Sequence, residues 1–162
     1  MDTEIVATLT PSPVRRIIAV LSLAAVALML LWIVLVTPPS DLGWLFFLVA
    51  GGFGLLWLSW RLWTATEGQI VLTRDGLFDS SGRCLTTIDN IKMVERGPFA
   101  FKPSGGFAVQ LKEAPGRGWS PGMWWRFGRR LGVGGVTPVA QSKVVAESII
   151  LIILEKNNPE PE

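Results

Sequence analysis

Two long apolar runs constrain this chain more than any other feature. The first, Ile17 to Val36, reads IIAVLSLAAVALMLLWIVLV. As a helix these residues would be about 30 Å long, which is the thickness of the hydrocarbon core of a bilayer. The second run, Leu42 to Trp63, carries Arg61 as its only charge, close to its end. The sequence therefore predicts two transmembrane helices, over about 17–36 and 42–63.

The connector between the runs, TPPSD at 37–41, is too short for anything but a tight turn, so residues 15–63 are predicted to form a hairpin. Arg15 and Arg16 precede the first run, whereas the connector has no positive charge. Because cytoplasmic loops are enriched in Lys and Arg, we expect both termini to be cytoplasmic. A cleaved signal peptide is the alternative for the first run, but its apolar stretch exceeds a normal signal core and no small-residue cleavage site follows.

Residues at the ends of the runs predict how the hairpin is anchored and packed. Indole and guanidinium groups are typical of anchors at the membrane–water interface. The predicted anchors are Arg15, Arg16, Trp60, Arg61 and Trp63. Ala50 and Gly54 are four residues apart on one helix face, where small side chains allow close approach of another helix. The predicted packing residues are Ala50, Gly51 and Gly54, and the alternative partner for this face is a larger membrane complex.

After Thr64 the chain consists of short apolar stretches separated by glycine-bearing turns, a pattern typical of antiparallel strands. The stretches are QIVLT (69–73), LFD (77–79), CLTTI (84–88), IKMVERG (91–97), FAFKP (99–103) and FAVQLKE (107–113). We expect a meander of five or six strands. Residues 1–14 are predicted to be a mobile polar leader, and residues 157–162 a disordered tail.

A C-terminal helix is predicted over about 138–156. Thr137 is expected to be its N-cap and Pro138 its first helical residue, since a hydroxyl accepts an unpaired backbone N–H and proline has none. The polar residues Gln141, Ser148 and Glu155 are seven apart and would form one stripe. The β-branched segment SIILIIL (148–154) leaves a strand as the alternative for the end of this element.

Parts of the chain after residue 64 resemble a known family. IVLTRDGLFD (70–79) followed by IDNIKMVERG (88–97) resembles the opening strands of small bacterial membrane proteins that contain a pleckstrin-homology-like domain. The ending WWRFGRRLGVGGVTPVAQSKVVAESI (124–149) is similar to that of a set of alphaproteobacterial members. The resemblance covers 64–156 and implies an α+β inner-membrane protein, in which a transmembrane hairpin precedes an antiparallel β-domain capped by a C-terminal helix. It implies little about activity, because this fold binds phosphoinositides, peptides or proteins.

Residue usage argues against catalysis. The chain has no histidine, which is the side chain most often used for acid–base chemistry near neutral pH. Its one cysteine, Cys84, excludes an internal disulfide and any spacing typical of structural zinc. GVGG at 132–135 fails the G-x-G-x-x-G spacing of a dinucleotide loop. We therefore expect no enzyme activity, metal or cofactor, and a net charge of +2 gives little reason to expect nucleic acid binding.

The remaining candidate site is the segment GWSPGMWWRFGRR, 118–130, in which three tryptophans, a methionine and a phenylalanine accompany three arginines. Between residues 112 and 130, five cations and one carboxylate give +4, more than the +2 of the whole chain. Anionic lipid headgroups attract such charges, and indoles favour the headgroup layer. We expect a surface that binds membrane lipid or a partner protein, formed by Trp119, Met123, Trp124, Trp125, Arg126, Arg129 and Arg130.

Two alternatives remain open for this segment and for the chain. WWRF can form a strand with Trp124 and Arg126 on one face and Trp125 and Phe127 on the other, so that half of these aromatic side chains enter the core. The chain as a whole can instead be a structural accessory subunit that contacts a larger membrane complex through its helices.

Overall fold

The computed structural model describes residues 4–95 and 103–158, and within them the chain is α+β, with two long apolar helices, two antiparallel sheets and a C-terminal helix. The helices are α1 (Pro13–Val36), α2 (Leu42–Ala65) and α3 (Val139–Asn157), and a short 3₁₀ turn covers Ile88–Asn90. The strands are β1 (Ile5–Leu9), β2 (Ile70–Thr73), β3 (Gly76–Asp79), β4 (Cys84–Thr87), β5 (Ile91–Glu95), β6 (Phe107–Leu111), β7 (Gly118–Ser120), β8 (Trp124–Phe127) and β9 (Arg130–Val133).

Both apolar runs form helices, and each helix is long and apolar enough to cross a membrane. Proline occupies the first position of α1, where its missing N–H costs nothing. Asp41 caps α2, because its carboxylate accepts a hydrogen bond from the backbone N–H of Trp44 at 3.0 Å. Large apolar side chains such as Leu35 and Phe46 are exposed along the hairpin.

The contact between α1 and α2 uses a different face of α2 from the one predicted. Gly52 is buried against Leu31 and Ala27, and seven residues later the hydroxyl of Ser59 donates a hydrogen bond to the carbonyl of Val20 at 2.9 Å. Ala50 and Gly54 are exposed, and Gly51 meets α1 only at the edge of the contact. The prediction is therefore wrong for Ala50 and Gly54, because the seven-residue seam through Gly52 turns them away from α1.

The first sheet has the order β1-β2-β3-β4, with each neighbouring pair antiparallel. Leu9 is fully buried and pairs with Ile70, so the helical hairpin is inserted between two adjacent strands. The prediction of a mobile leader is wrong for residues 5–9. Their partner strand lies about 60 residues downstream, and a local pattern does not reveal such pairing.

The second sheet has the order β5-β6-β9-β8-β7, so β9 lies between β6 and β8 and the strands do not follow a simple meander. The predicted segments at 69–73, 77–79, 84–88, 91–97 and 107–113 each contain a strand. Within the described residues there are nine strands instead of five or six, since β1, β7, β8 and β9 add to these. The strand predicted at 99–103 lies almost wholly outside the described residues, and so does the tail from 159 onwards.

Helix α3 packs on β1, β5 and β6 and closes the domain. Proline 138 is the N-cap, not Thr137 as predicted, because Thr137 is fully buried and its hydroxyl is hydrogen-bonded to that of Ser142. On the polar stripe, the Gln141 side chain accepts a hydrogen bond from the backbone N–H of Thr10. The segment 148–154 is helical, so the strand alternative is wrong. Buried core residues include Leu72, Leu77, Leu85, Val109, Leu131, Val145 and Ile149.

Candidate interaction surface

The aromatic and basic segment forms a pair of β-hairpins at one edge of the second sheet. Trp125 of β8 lies between Trp119 of β7 and Gly132 of β9 in the strand register. Because side chains alternate along a strand, one half of the segment points into the core and the other half points outward. The strand alternative for 124–127 is therefore confirmed.

The inward half contains two residues that were predicted to be on the surface. Met123 and Trp124 are each only 3% exposed and belong to the hydrophobic core. The ring of Trp124 lies over Gly118 of the neighbouring strand, where an added Cβ would come within 2.7 Å of the indole. The prediction that Met123 and Trp124 form a surface is wrong: strand alternation turns Trp124 into the core, and Met123 enters the core from the turn before β8.

Arg126 also points inward, but at the open edge between the two sheets. Its Nε donates a hydrogen bond to the carbonyl of Gly116 at 3.2 Å, and its Nη1 donates one to the carbonyl of Leu85 at 2.5 Å. Leu85 belongs to β4, so this guanidinium joins the second sheet to the edge of the first. Arg126 therefore has a structural position, contrary to its predicted place on the outer surface.

The outward half forms what we call the outer aromatic face, defined by Met93, Trp119, Trp125 and Phe127. Met93, Trp119 and Phe127 are 50%, 54% and 63% exposed. The register of the strands places all four side chains on the same side of the sheet. Trp125 is half-buried because its indole covers Gly132, where any Cβ would overlap the ring. Glycine at 132 therefore makes room for this tryptophan.

Charged side chains flank the outer aromatic face. Arg130 lies 3.7 Å from a carboxylate oxygen of Glu95, and the Arg117 guanidinium lies 4.8 Å from the centroid of the Phe127 ring. Arg129 is exposed in the turn between β8 and β9. With three arginines and one carboxylate, this region has a net charge of +2. The sequence did not predict Met93 or Arg117 as part of this surface. Simple alternation in IKMVE (91–95) would place Met93 on the same face as the buried Ile91, but a bulge between the two residues turns Met93 outward.

The start of β8 lies against the helical hairpin and its end lies away from it. A Cβ on Gly122 would contact Leu62 and Thr66 at the end of α2, and the backbone N–H of Ser12 donates a hydrogen bond to the carbonyl of Val136. From there β8 runs to Phe127, which is about 10 Å along the strand. The turn that holds Arg129 therefore lies at the opposite end of the sheet from the hairpin.

The predicted anchors fall into two groups at the base of the hairpin. Arg16 is inside the junction: its guanidinium stacks 3.9 Å from the centroid of Trp63 and donates a hydrogen bond to the Trp63 carbonyl at 2.8 Å. Arg15 donates a hydrogen bond to the carbonyl of Thr137 at 3.0 Å. Trp60 and Arg61 are exposed. Arg15 therefore ties the hairpin to the β-domain, and Arg16 joins α1 to Trp63 of α2. Trp60 and Arg61 have the exposure that an interfacial anchor needs.

The described residues contain no group of three or more His, Cys, Asp or Glu side chains that could hold a metal ion. Cys84 is exposed beside a crevice of about 520 Å³, which is also lined by Arg126 and Lys112. Partial burial raises the pKa of the Cys84 thiol, and the positive charge of Arg126 opposes that shift. The thiol is therefore mostly protonated at neutral pH, which makes it a weak nucleophile.

Comparison with known proteins finds no match to a family model, to a curated protein or to a solved structure. The resemblance to alphaproteobacterial proteins with a pleckstrin-homology-like domain consequently stays a prediction from the sequence.

Proposed function

We propose that this chain is a non-catalytic protein of a bacterial inner membrane, whose cytoplasmic domain binds a partner protein through the outer aromatic face. Insertion of α1 and α2 is supported by the apolar side chains that the hairpin exposes. Both ends of the hairpin enter one sheet, so they lie on the same side of the membrane, and Arg15 and Arg61 favour the cytoplasmic side. Two antiparallel sheets closed by α3 support the pleckstrin-homology-like assignment.

The composition and exposure of the outer aromatic face carry this proposal. Aromatic residues, methionine and arginine are enriched in the buried centres of protein interfaces, and tryptophan and arginine are frequent hot spots. Trp119 and Phe127 are more than half exposed beside Arg117 and Arg130. Clustered apolar exposure of this kind marks an interaction site. The positive charge of the region favours a partner whose contact surface is apolar with an acidic rim.

The position of the face favours a protein partner over lipid headgroups. If α1 and α2 cross the membrane, the headgroup layer lies at the base of the hairpin, where Gly122 contacts Leu62. Phe127 lies about 10 Å farther along β8, which is close to the Debye length at physiological salt. Arg129 in the following turn is still farther along the strand. Most of the attraction between this turn and anionic lipid is therefore screened.

The test is co-purification of the full chain from membranes in mild detergent, followed by mass spectrometry. The double variant Trp119→Ser/Phe127→Ser removes the exposed rings, and Val139→Ser/Val144→Ser removes apolar side chains of similar exposure from α3. We expect a partner protein to co-purify with the natural chain and with the α3 variant. The recovered amount of this partner should decrease about 30-fold with Trp119→Ser/Phe127→Ser, since hot spots contribute 2 kcal/mol or more. Equal recovery with both variants would contradict the proposal.

The lipid alternative has its own measurement. A nitroxide attached at Arg129→Cys in a Cys84→Ser background reports the depth of the β8–β9 turn in a bilayer. We expect a water-soluble relaxation agent to reach the label freely. Protection of the label in bilayers of anionic lipid would mean that this turn lies in the headgroup layer, and lipid binding would then replace protein binding as the proposed function.

A second candidate function rests on the free face of α2. Ala50 and Gly54 are exposed, and a Cβ at Gly54 would meet no atom within 4 Å. A helix of another membrane protein can approach closely here, which supports a role as an accessory subunit. Gly54→Leu should then abolish co-purification of the membrane partner, whereas Ser22→Leu on the exposed side of α1 should not. Unchanged recovery with Gly54→Leu would exclude this face.

A further inference from the structure

We infer that a single anionic phospholipid binds in a crevice between the start of α1 and the loops of the β-domain. The crevice is shallow and open to one side, with a volume of about 450 Å³. Its lining includes Arg15, Ile18, Ala19, Leu62, Ser104 and Val136. This inference rests on the membrane insertion proposed above, but not on the outer aromatic face.

The crevice lies at the depth where the hairpin changes from charged to apolar. In α1, Arg15 and Arg16 are followed by the charge-free run from Ile17, and in α2 the charge at Arg61 immediately precedes Leu62. In a membrane-spanning hairpin this boundary coincides with the border between headgroups and acyl chains. A lipid can therefore enter the crevice sideways from the bilayer without leaving its normal depth.

The polar end of the crevice suits a phosphate diester. Arg15 donates one hydrogen bond from Nη1 to the Thr137 carbonyl, and a guanidinium has five N–H groups in all. Its planar, permanently charged fork matches two phosphate oxygens. Among the residues that line the crevice, Arg15 carries the only charge. The site therefore favours a lipid with a net negative charge over one whose headgroup also carries a cation.

The apolar end of the crevice suits an acyl chain. Ile18 is exposed along its wall, while Leu62 and Val136 are almost fully buried beneath it. Gly122 and Gly135 lie at the floor, and both have positive φ, +74° and +120°. Glycine at these positions keeps the floor free of side chains. Arg15 beside an apolar wall matches a phospholipid, in which a phosphate is joined to acyl chains. A soluble phosphate ester would contact Arg15 but not the apolar wall.

The experiment is native mass spectrometry of the full chain, released from nanodiscs that contain phosphatidylglycerol and phosphatidylcholine. Arg15→Gln removes the guanidinium, and Ser104→Trp obstructs the crevice while it retains Arg15. Arg61→Gln is the control, because Arg61 lies at the same end of the hairpin as Arg15, while its guanidinium lies 5.8 Å from the centroid of the Trp57 ring and does not line the crevice. We expect one retained phosphatidylglycerol for the natural chain and for Arg61→Gln, and about a tenfold loss for the other two variants.

Four results would overturn the inference. Equal losses for Arg15→Gln and Arg61→Gln would indicate general attraction of anionic lipid to the hairpin. Equal retention of phosphatidylcholine would exclude an anionic ligand, and competition by glycerol phosphate at similar concentration would identify a soluble phosphate ester. Extraction of the chain from membranes by alkaline carbonate would reject membrane insertion itself. The Trp119→Ser/Phe127→Ser variant should lose the partner protein but retain phosphatidylglycerol. The lipid proposal and the partner proposal can therefore fail independently of each other.

Discussion

Replacement of Arg126 by alanine should destabilise the β-domain, because this side chain joins the two sheets. Two of its N–H groups bind the carbonyls of Gly116 and Leu85. Hydrogen bonds that involve a charged group each contribute about 1.5–3 kcal/mol to stability. Arg126 is partly exposed, so each bond belongs at the lower end of that range. We expect Arg126→Ala to lower the free energy of unfolding by about 2–3 kcal/mol.

The measurement is urea unfolding of the full chain in a mild detergent, followed by near-ultraviolet circular dichroism of the tryptophans. Arg129→Ala is the matched control, because Arg129 is exposed in the adjacent turn and removal of a surface side chain changes stability by about 0.5 kcal/mol or less. If Arg126→Ala and Arg129→Ala have the same free energy of unfolding within that error, then Arg126 does not join the sheets and its charge is available for a ligand.

Three further predictions concern the core, the hairpin and the thiol. Leu9→Ala should lower the free energy of unfolding by about 3 kcal/mol in the same urea assay, against less than about 1 kcal/mol for the exposed Val6→Ala; equal effects would mean that β1 is not part of the sheet. Gly52→Leu should lower the melting temperature in detergent, because its Cβ would lie 2.7 Å from the Leu31 side chain, whereas Gly54→Leu should not; the reverse order would contradict the seam. Arg126→Gln should raise the pKa of the Cys84 thiol further, since burial already raises it and the opposing charge is lost. Alkylation of Cys84 by iodoacetamide would then shift to higher pH, and an unshifted rate profile would rule out this electrostatic coupling.

The helices could be predicted from the sequence because their signal is local. The twenty residues 17–36 contain no charge, and a run of this length and composition indicates a long apolar helix without reference to the rest of the chain. The face on which the helices pack was harder to predict. Small residues occur at 50, 51, 52 and 54, and only the position of α1 selects Gly52 among them.

The errors in the β-domain come from contacts between distant residues. The strand IVATL (5–9) looks like part of a polar leader until β2 is placed beside it. Arg126 looks like a surface charge until Leu85, 41 residues earlier, provides an acceptor. Thr137 has the right residue type for an N-cap, but its hydroxyl is used by Ser142. In each case the local pattern is sound and a tertiary partner overrides it.

The sequence predicts which side chains of β8 point outward, but not the other members of the candidate surface. Alternation in WWRF correctly separates Trp124 from Trp125, so the strand hypothesis gives the outward side chains. The contribution of Met93 depends on the bulge between Ile91 and Met93, which shifts the register of β5 and cannot be derived from alternation alone. The charge excess of the segment was visible, but not the fact that Arg126 is excluded from the outward face.

The insertion of the hairpin between β1 and β2 has a consequence for synthesis of the chain. Leu9 leaves the ribosome about 60 residues before its partner Ile70, which corresponds to roughly 3–12 s of translation. During that interval both helices emerge, and β1 has no β2 to pair with. The β-domain cannot complete its first sheet until the hairpin has turned back, so closure of the domain follows synthesis of both helices. A chain whose two helices fail to pack on each other would leave β1 and β2 apart and exposed to proteolysis.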